Sequence, residues 1–171
     1  MKLEPASRWV FAGLALIPLA LLAEGLVLQH FQDVAPCPLC VLQRQAFFLY
    51  ALVAISAAVH RPSRRGAALY AGGMAVISLT GLGVAIWHVW TLHHPKFGCG
   101  IDVMEQFVNN LPSASFLPWI FRATGDCSAR HDPIFGLVVP EWALAWLALL
   151  LVLAVLLVYK CLSAAPERPA R

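Results

Sequence analysis

Four separated apolar runs dominate the chain: Trp9 to Leu28, Val41 to Val59, Ala68 to Leu92 and Trp142 to Tyr159. Each approaches or exceeds the roughly 20 residues that a helix needs to cross a hydrocarbon core about 30 Å thick. The expected fold is therefore an all-α membrane protein, a four-helix transmembrane bundle forming a single integral membrane domain over residues 1–171. Composition agrees. With 60% hydrophobic residues and 12% charged, the chain is more apolar than a soluble domain, whose apolar share is about 45–50%. The first run is longer than the apolar core of a signal peptide, and no small-residue cleavage site clearly ends it, so it reads as a mature helix.

Short loops rich in Lys and Arg stay on the cytoplasmic side of a membrane. Lys2 and Arg8 precede the first run, Arg61, Arg64 and Arg65 fill the loop at about 60–67, and Lys160, Arg168 and Arg171 follow the fourth run. This pattern puts both termini in the cytoplasm and two loops, about 29–40 and 93–141, on the opposite face, where Lys96, Arg122 and Arg130 are thinly spread. The same asymmetry accounts for the net charge of +3, which gives no reason to invoke nucleic acid.

The five cysteines follow this partition. Cys37 and Cys40 fall in the first outer loop, Cys99 and Cys127 in the second, and Cys161 alone at the cytoplasmic end of the fourth run. Disulfides persist in an oxidising periplasm and are rare in the cytosol. Four outer cysteines allow three pairings, of which Cys37 with Cys40 and Cys99 with Cys127 is the one that each loop makes alone. The second loop lacks strong periodicity and is rich in Pro and Gly. It reads as an ordered flap on the membrane surface, with Met104–Val108 and Phe116–Phe121 as short amphipathic pieces.

Cys37-Pro38-Leu39-Cys40 stands at the start of the second helix, where backbone N–H groups and the helix dipole favour a thiolate. Arg44 lies four residues beyond Cys40 and so on the same helical face. A thiolate and an arginine at the membrane boundary suit an electron acceptor that gains negative charge on reduction. Several other readings stay open. A C-x-x-C is also a metal half-site or a structural disulfide, and His93 and His94 are candidate partners for a metal. Arg44 is also a plausible snorkelling side chain. His88 sits at the same depth as Arg44, and position alone suits packing as well as cofactor contact. Glu24, an acid inside the first helix, is costly in hydrocarbon, yet snorkelling or pairing explains it without a place in the site. Small residues at Gly81 and Ala85 permit close helix approach, within the bundle or between chains.

A chain that makes disulfides must hand on two electrons. Here no G-x-G-x-x-G dinucleotide fingerprint and no C-x-x-C-H haem attachment is present, so a lipid-soluble quinone is the acceptor that fits.

The string Pro36-Cys37-Pro38-Leu39-Cys40-Val41-Leu42-Gln43-Arg44 resembles the quinone-site motif of the disulfide bond formation protein B family (DsbB). Cys99-Gly100 and Gly125-Asp126-Cys127 resemble its second cysteine pair, and Phe135-Gly136-Leu137 through Pro140-Glu141-Trp142 the entry to its last helix. The stretch Ser128–Pro133 departs from the family pattern, as does the short run from His88 to Cys99. The resemblance implies a quinone-dependent protein-dithiol oxidoreductase of the bacterial inner membrane. Its partners would be a DsbA-like periplasmic thioredoxin-fold protein and the membrane quinone pool, ubiquinone or menaquinone. It further implies that Cys99 of a Cys99–Cys127 pair is attacked by the client, that Cys37 pairs transiently with Cys127, and that Cys40, Arg44 and His88 adjoin the quinone. No resident metal is implied.

Overall fold

The computed structural model describes residues 7–94, 101–127, 129 and 133–163. Four long helices cover the expected spans and extend beyond them: α1 (Arg8–Phe31), α2 (Pro38–His60), α3 (Arg64–His93) and, after three short helices, α7 (Val139–Ser163). At about 1.5 Å per residue they run roughly 35–45 Å, enough to cross a membrane. The short helices α4 (Ile101–Asn109), α5 (Pro112–Phe116) and α6 (Pro118–Phe121) lie between α3 and α7. No β-strand occurs among the described residues.

Local chemistry sets the helix ends. The Ser7 hydroxyl accepts from the Trp9 N–H at the start of α1, and Pro38 occupies the first turn of α2, where its missing N–H costs nothing. Arg61 ends α2 in the left-handed conformation (φ 48°), its N–H bonded to the Ala57 carbonyl. Pro62 follows directly, and α3 restarts within three residues.

Packing runs α1 on α2, α2 on α3 and α3 on α7, the last pair being the most extensive. Small side chains let the axes close: Ala54 and Ala57 on α2, Ala67, Ala71 and Ala85 on α3, and Ala154 on α7 are all buried. A Cβ at Gly81 would stand 2.7 Å from Ala46 Cβ and 2.9 Å from a Leu147 methyl. Gly81 is thus the point where α2 and α7 both press on α3, and its small size serves contact within the bundle. The bundle is incomplete on one side, because α1 and α7 scarcely touch. Outward-facing Leu16, Leu49, Leu52, Val76, Leu79, Val152 and Val155 are exposed, as a lipid-facing surface requires.

The flap formed by α4 to α6 caps the end of the bundle that carries the start of α2. Val108, Ala114, Phe121 and Ala123 cluster on Val41, and Gln45 donates to the Ser113 hydroxyl at 2.7 Å. Asn109 holds the flap together internally, its side chain both donating to the Ala123 carbonyl and accepting from the Ala123 N–H.

Candidate active site

Cys37 is the N-cap of α2 (φ −75°, ψ 164°), and its sulfur accepts from the Cys40 N–H at 3.1 Å. The helix starts at Pro38, earlier than the sequence reading placed it, so Cys40 lies inside the first turn. That turn carries the two sulfurs to within 2.8 Å of one another, and both cysteines are free. Cys37 is 2% exposed and faces the interior, while Cys40 is half-buried and faces a cavity. Burial and the close Cys40 sulfur hold the Cys37 thiol far above the ordinary cysteine range, the contact with Cys40 being the larger cause.

The cavity, about 300 Å³, occupies the opening between α1 and α7, with α2 as its floor. Cys40, Gln43, Arg44 and Phe47 line it from α2, Leu21, Glu24, Gly25 and Leu28 from α1, and Trp142, Ala143 and Trp146 from α7. Phe135, at the tip of a turn bridged by Ile134 and Leu137, lines it as well and is 95% exposed. The Trp142 indole N–H donates to the Ile134 carbonyl at 2.9 Å and fixes that turn over α7.

Cys40 and Arg44 thus share one space, as their i, i+4 spacing predicts. The guanidinium is held from the other side. It donates to the Gly25 carbonyl at 2.9 Å, to the Ile120 carbonyl at 3.1 Å and to the Gln29 side-chain oxygen. Arg44 therefore joins α1, α2 and the flap, which a purely snorkelling side chain would not do. Glu24, set aside in the sequence reading, lines the same cavity; its cost in hydrocarbon was the signal pointing there.

His88 is not among the residues lining the cavity. It is 2% exposed, with Nε2 3.6 Å from the Cys37 sulfur and Nδ1 3.3 Å from the amide nitrogen of Gln43, itself a residue of the cavity lining. Cys127 is completely buried, is disulfide-bonded, and packs in one cluster with Cys37 and Leu39. Backbone bonds from the Thr124 and Gly125 N–H groups to the Pro36 carbonyl bring it there. Cys99 lies outside the described residues.

The reactive atoms of Cys37, Cys40 and His88 lie within 4.8 Å of one another, a set that a soft metal ion can use. Two thiolates on one tetrahedral zinc, with Zn–S bonds of about 2.3 Å, stand about 3.7 Å apart, whereas these sulfurs are 2.8 Å apart, a spacing that favours sulfur–sulfur chemistry. His93 and His94 do not join the set. His94 stacks on Trp90 and bonds to its carbonyl.

The sequence profile of the family described as disulfide bond formation protein DsbB matches residues 7–157. A disulfide bond formation protein B of Herminiimonas arsenicoxydans is 45% identical over 142 residues, 82% of this chain and 87% of that protein. One from Cupriavidus necator is 41% identical over 148 residues, covering 86% and 90%. A disulfide bond formation protein B 1 of Pseudomonas fluorescens is 40% identical over 144 residues, covering 84% and 85%.

Proposed function

Because this chain belongs to the DsbB family of disulfide bond formation proteins, we propose that it reoxidises a DsbA-like thioredoxin-fold protein and passes the electrons to a membrane quinone. The route runs from the client to Cys99–Cys127, then to Cys37–Cys40, then to the acceptor. In sum, two client thiols become a disulfide, and two electrons and two protons leave with the reduced acceptor. The enzyme is a quinone-dependent protein-dithiol oxidoreductase of the bacterial inner membrane, with Cys37, Cys40, Cys99 and Cys127 on the periplasmic face. The clustering of Arg61, Arg64 and Arg65 at the other end of the bundle supports that orientation.

One observation carries the reading: the Cys37–Cys40 pair stands between buried Cys127 on one side and the α1/α7 cavity on the other. A thiol relay needs a pair reachable from both directions. Exchange proceeds by attack of a thiolate on a disulfide sulfur, and Cys127 packed on Cys37 has that approach. Cys40, facing the cavity, is the sulfur that delivers electrons.

The cavity suits a quinone head group. Its walls are Leu21, Leu28, Phe47, Trp142 and Trp146, its polar groups are few and convergent, and its opening between α1 and α7 admits an isoprenoid tail from lipid. Bound there, a quinone supplies a two-electron, two-proton acceptor. Arg44 and Cys40 would hold it, and the fixed guanidinium favours charge developing on a ring oxygen.

Purified protein mixed with excess reduced DsbA should turn over repeatedly only when ubiquinone or menaquinone is added. Full turnover without quinone, or undiminished turnover by Cys40→Ser, would sink the proposal.

A further inference from the structure

We propose that the Glu24 carboxyl is a proton carrier of the acceptor site, handing over one of the two protons that accompany the electrons leaving Cys40. The inference deepens the proposed function and rests on it, since it names a further catalytic residue of the same cavity.

Elimination is the first argument. Full reduction of a quinone consumes two protons with two electrons. Among the described residues that line the cavity, Glu24, Cys40 and Arg44 are the ionisable ones. An arginine is not deprotonated in a protein, so Arg44 holds charge but gives no proton. Cys40 supplies the electrons, and its sulfur ends the step in a disulfide. Glu24 remains as the group whose charge is free to change.

Position is the second. Arg44 donates to the carbonyl of Gly25 at 2.9 Å, the residue directly after Glu24, and a Cβ on Gly25 would stand 3.5 Å from two of the guanidinium nitrogens. That close approach sets Glu24 on α1 at the level of Arg44 on α2. The guanidinium is spent on Gly25, Gln29 and Ile120, so Glu24 is not locked to it. Glu24 is exposed in the opening between α1 and α7. An ionisable side chain inside a membrane span is costly, and proton transfer is among the tasks that retain one there.

Access is the third. Val34 and Pro36 of the first outer loop line the same cavity, so one space joins Glu24 to the outer face. As the Cys37–Cys40 bond forms, the two thiols lose two electrons and two protons, and two of each pass to the acceptor. Glu24 gives the proton held on its carboxyl oxygen, and the other proton enters from the outer face. The carboxylate left behind takes up a proton from that face, into which the thiols' protons are released. No proton or electron is left over.

The test separates proton delivery from binding and from thiol exchange. Pre-reduced wild type, Glu24→Gln and Glu24→Asp are mixed with short-chain ubiquinone in single-turnover experiments across a pH series, and carboxyl titration in the quinone-free proteins is followed by infrared spectroscopy. Besides the permanent charge of Arg44, the titratable groups facing the acceptor space are Cys40 from α2 and Glu24 from α1, while α7 presents apolar and indole side chains there. Cys40 acts as thiolate and makes the rate rise with pH; Glu24 acts protonated and makes it fall. General acid–base help is worth about 100-fold or more, so Glu24→Gln should slow quinone reduction at least tenfold at the wild-type optimum, change quinone affinity less than about twofold, and lose the falling limb. The midpoint of that limb in wild type should coincide with the titration of the carboxyl band that Glu24→Gln lacks. Glu24→Asp keeps the acid and should recover part of the rate together with the limb. Transfer from reduced DsbA to the cysteine pairs without quinone, measured by acid quench and alkylation, should be unchanged in both variants and reports an intact fold. A wild-type rate and pH profile in Glu24→Gln would overturn the proposal, as would a defect wholly in quinone affinity or one shared by the thiol transfer. Wild type whose reduced Cys37–Cys40 pair passes nothing to added quinone would instead refute the proposed function.

Discussion

Gly125 lies so close to the first loop that a Cβ on it would stand 2.3 Å from the Ala35 carbonyl oxygen. Its own N–H is bonded to the Pro36 carbonyl at 3.1 Å. That contact seats the segment ending in Cys127 against the residues just before Cys37. Gly125→Ala must push the two loops apart, and overpacking of this kind costs about 1–3 kcal/mol. Electron transfer between the cysteine pairs should drop tenfold or more, while direct reduction of Cys37–Cys40 by dithiothreitol is retained. Rapid-quench thiol mapping checks both.

Arg44 satisfies three acceptors on two other segments. Hydrogen bonds to charged groups are worth about 1.5–3 kcal/mol each, so Arg44→Met should lower stability by several kcal/mol and raise the KM for quinone. Arg44→Lys retains a charge but not the planar fork and should fall between. Thermal unfolding in detergent and quinone-dependent turnover separate the two effects.

Trp142→Phe keeps the ring against the cavity but loses the N–H donated to the Ile134 carbonyl. One neutral hydrogen bond is worth about 1 kcal/mol, so the turn bearing Phe135 loosens over the acceptor space. The KM for quinone should rise about fivefold, 1 kcal/mol being roughly that factor. The rate of DsbA attack on Cys99–Cys127 should not change.

Asn109→Ala removes both bonds to Ala123 and leaves a buried N–H and a buried carbonyl without partners, at about 1–3 kcal/mol each. The flap should open more often than the bundle, so limited proteolysis should cut within residues 101–127 before the long helices are affected. An unchanged cleavage pattern would contradict this account of the flap.

The span lengths, the all-α class and the shared face of Cys40 and Arg44 were legible in the residues alone, because each depends on spacing along one segment. Apolar runs long enough for a membrane admit helices, and an i, i+4 pair on a helix shares a face whatever surrounds it. The other features depend on contacts between segments far apart in the chain. The meeting of Cys127 with Cys37, the three acceptors of Arg44, the recruitment of Glu24 to a cavity, and the contacts of His88 with Cys37 and Gln43 all lie beyond any periodicity. They were decided by the missing side chains at Gly81 and Gly125, which let particular backbones close, and by how little α1 and α7 touch.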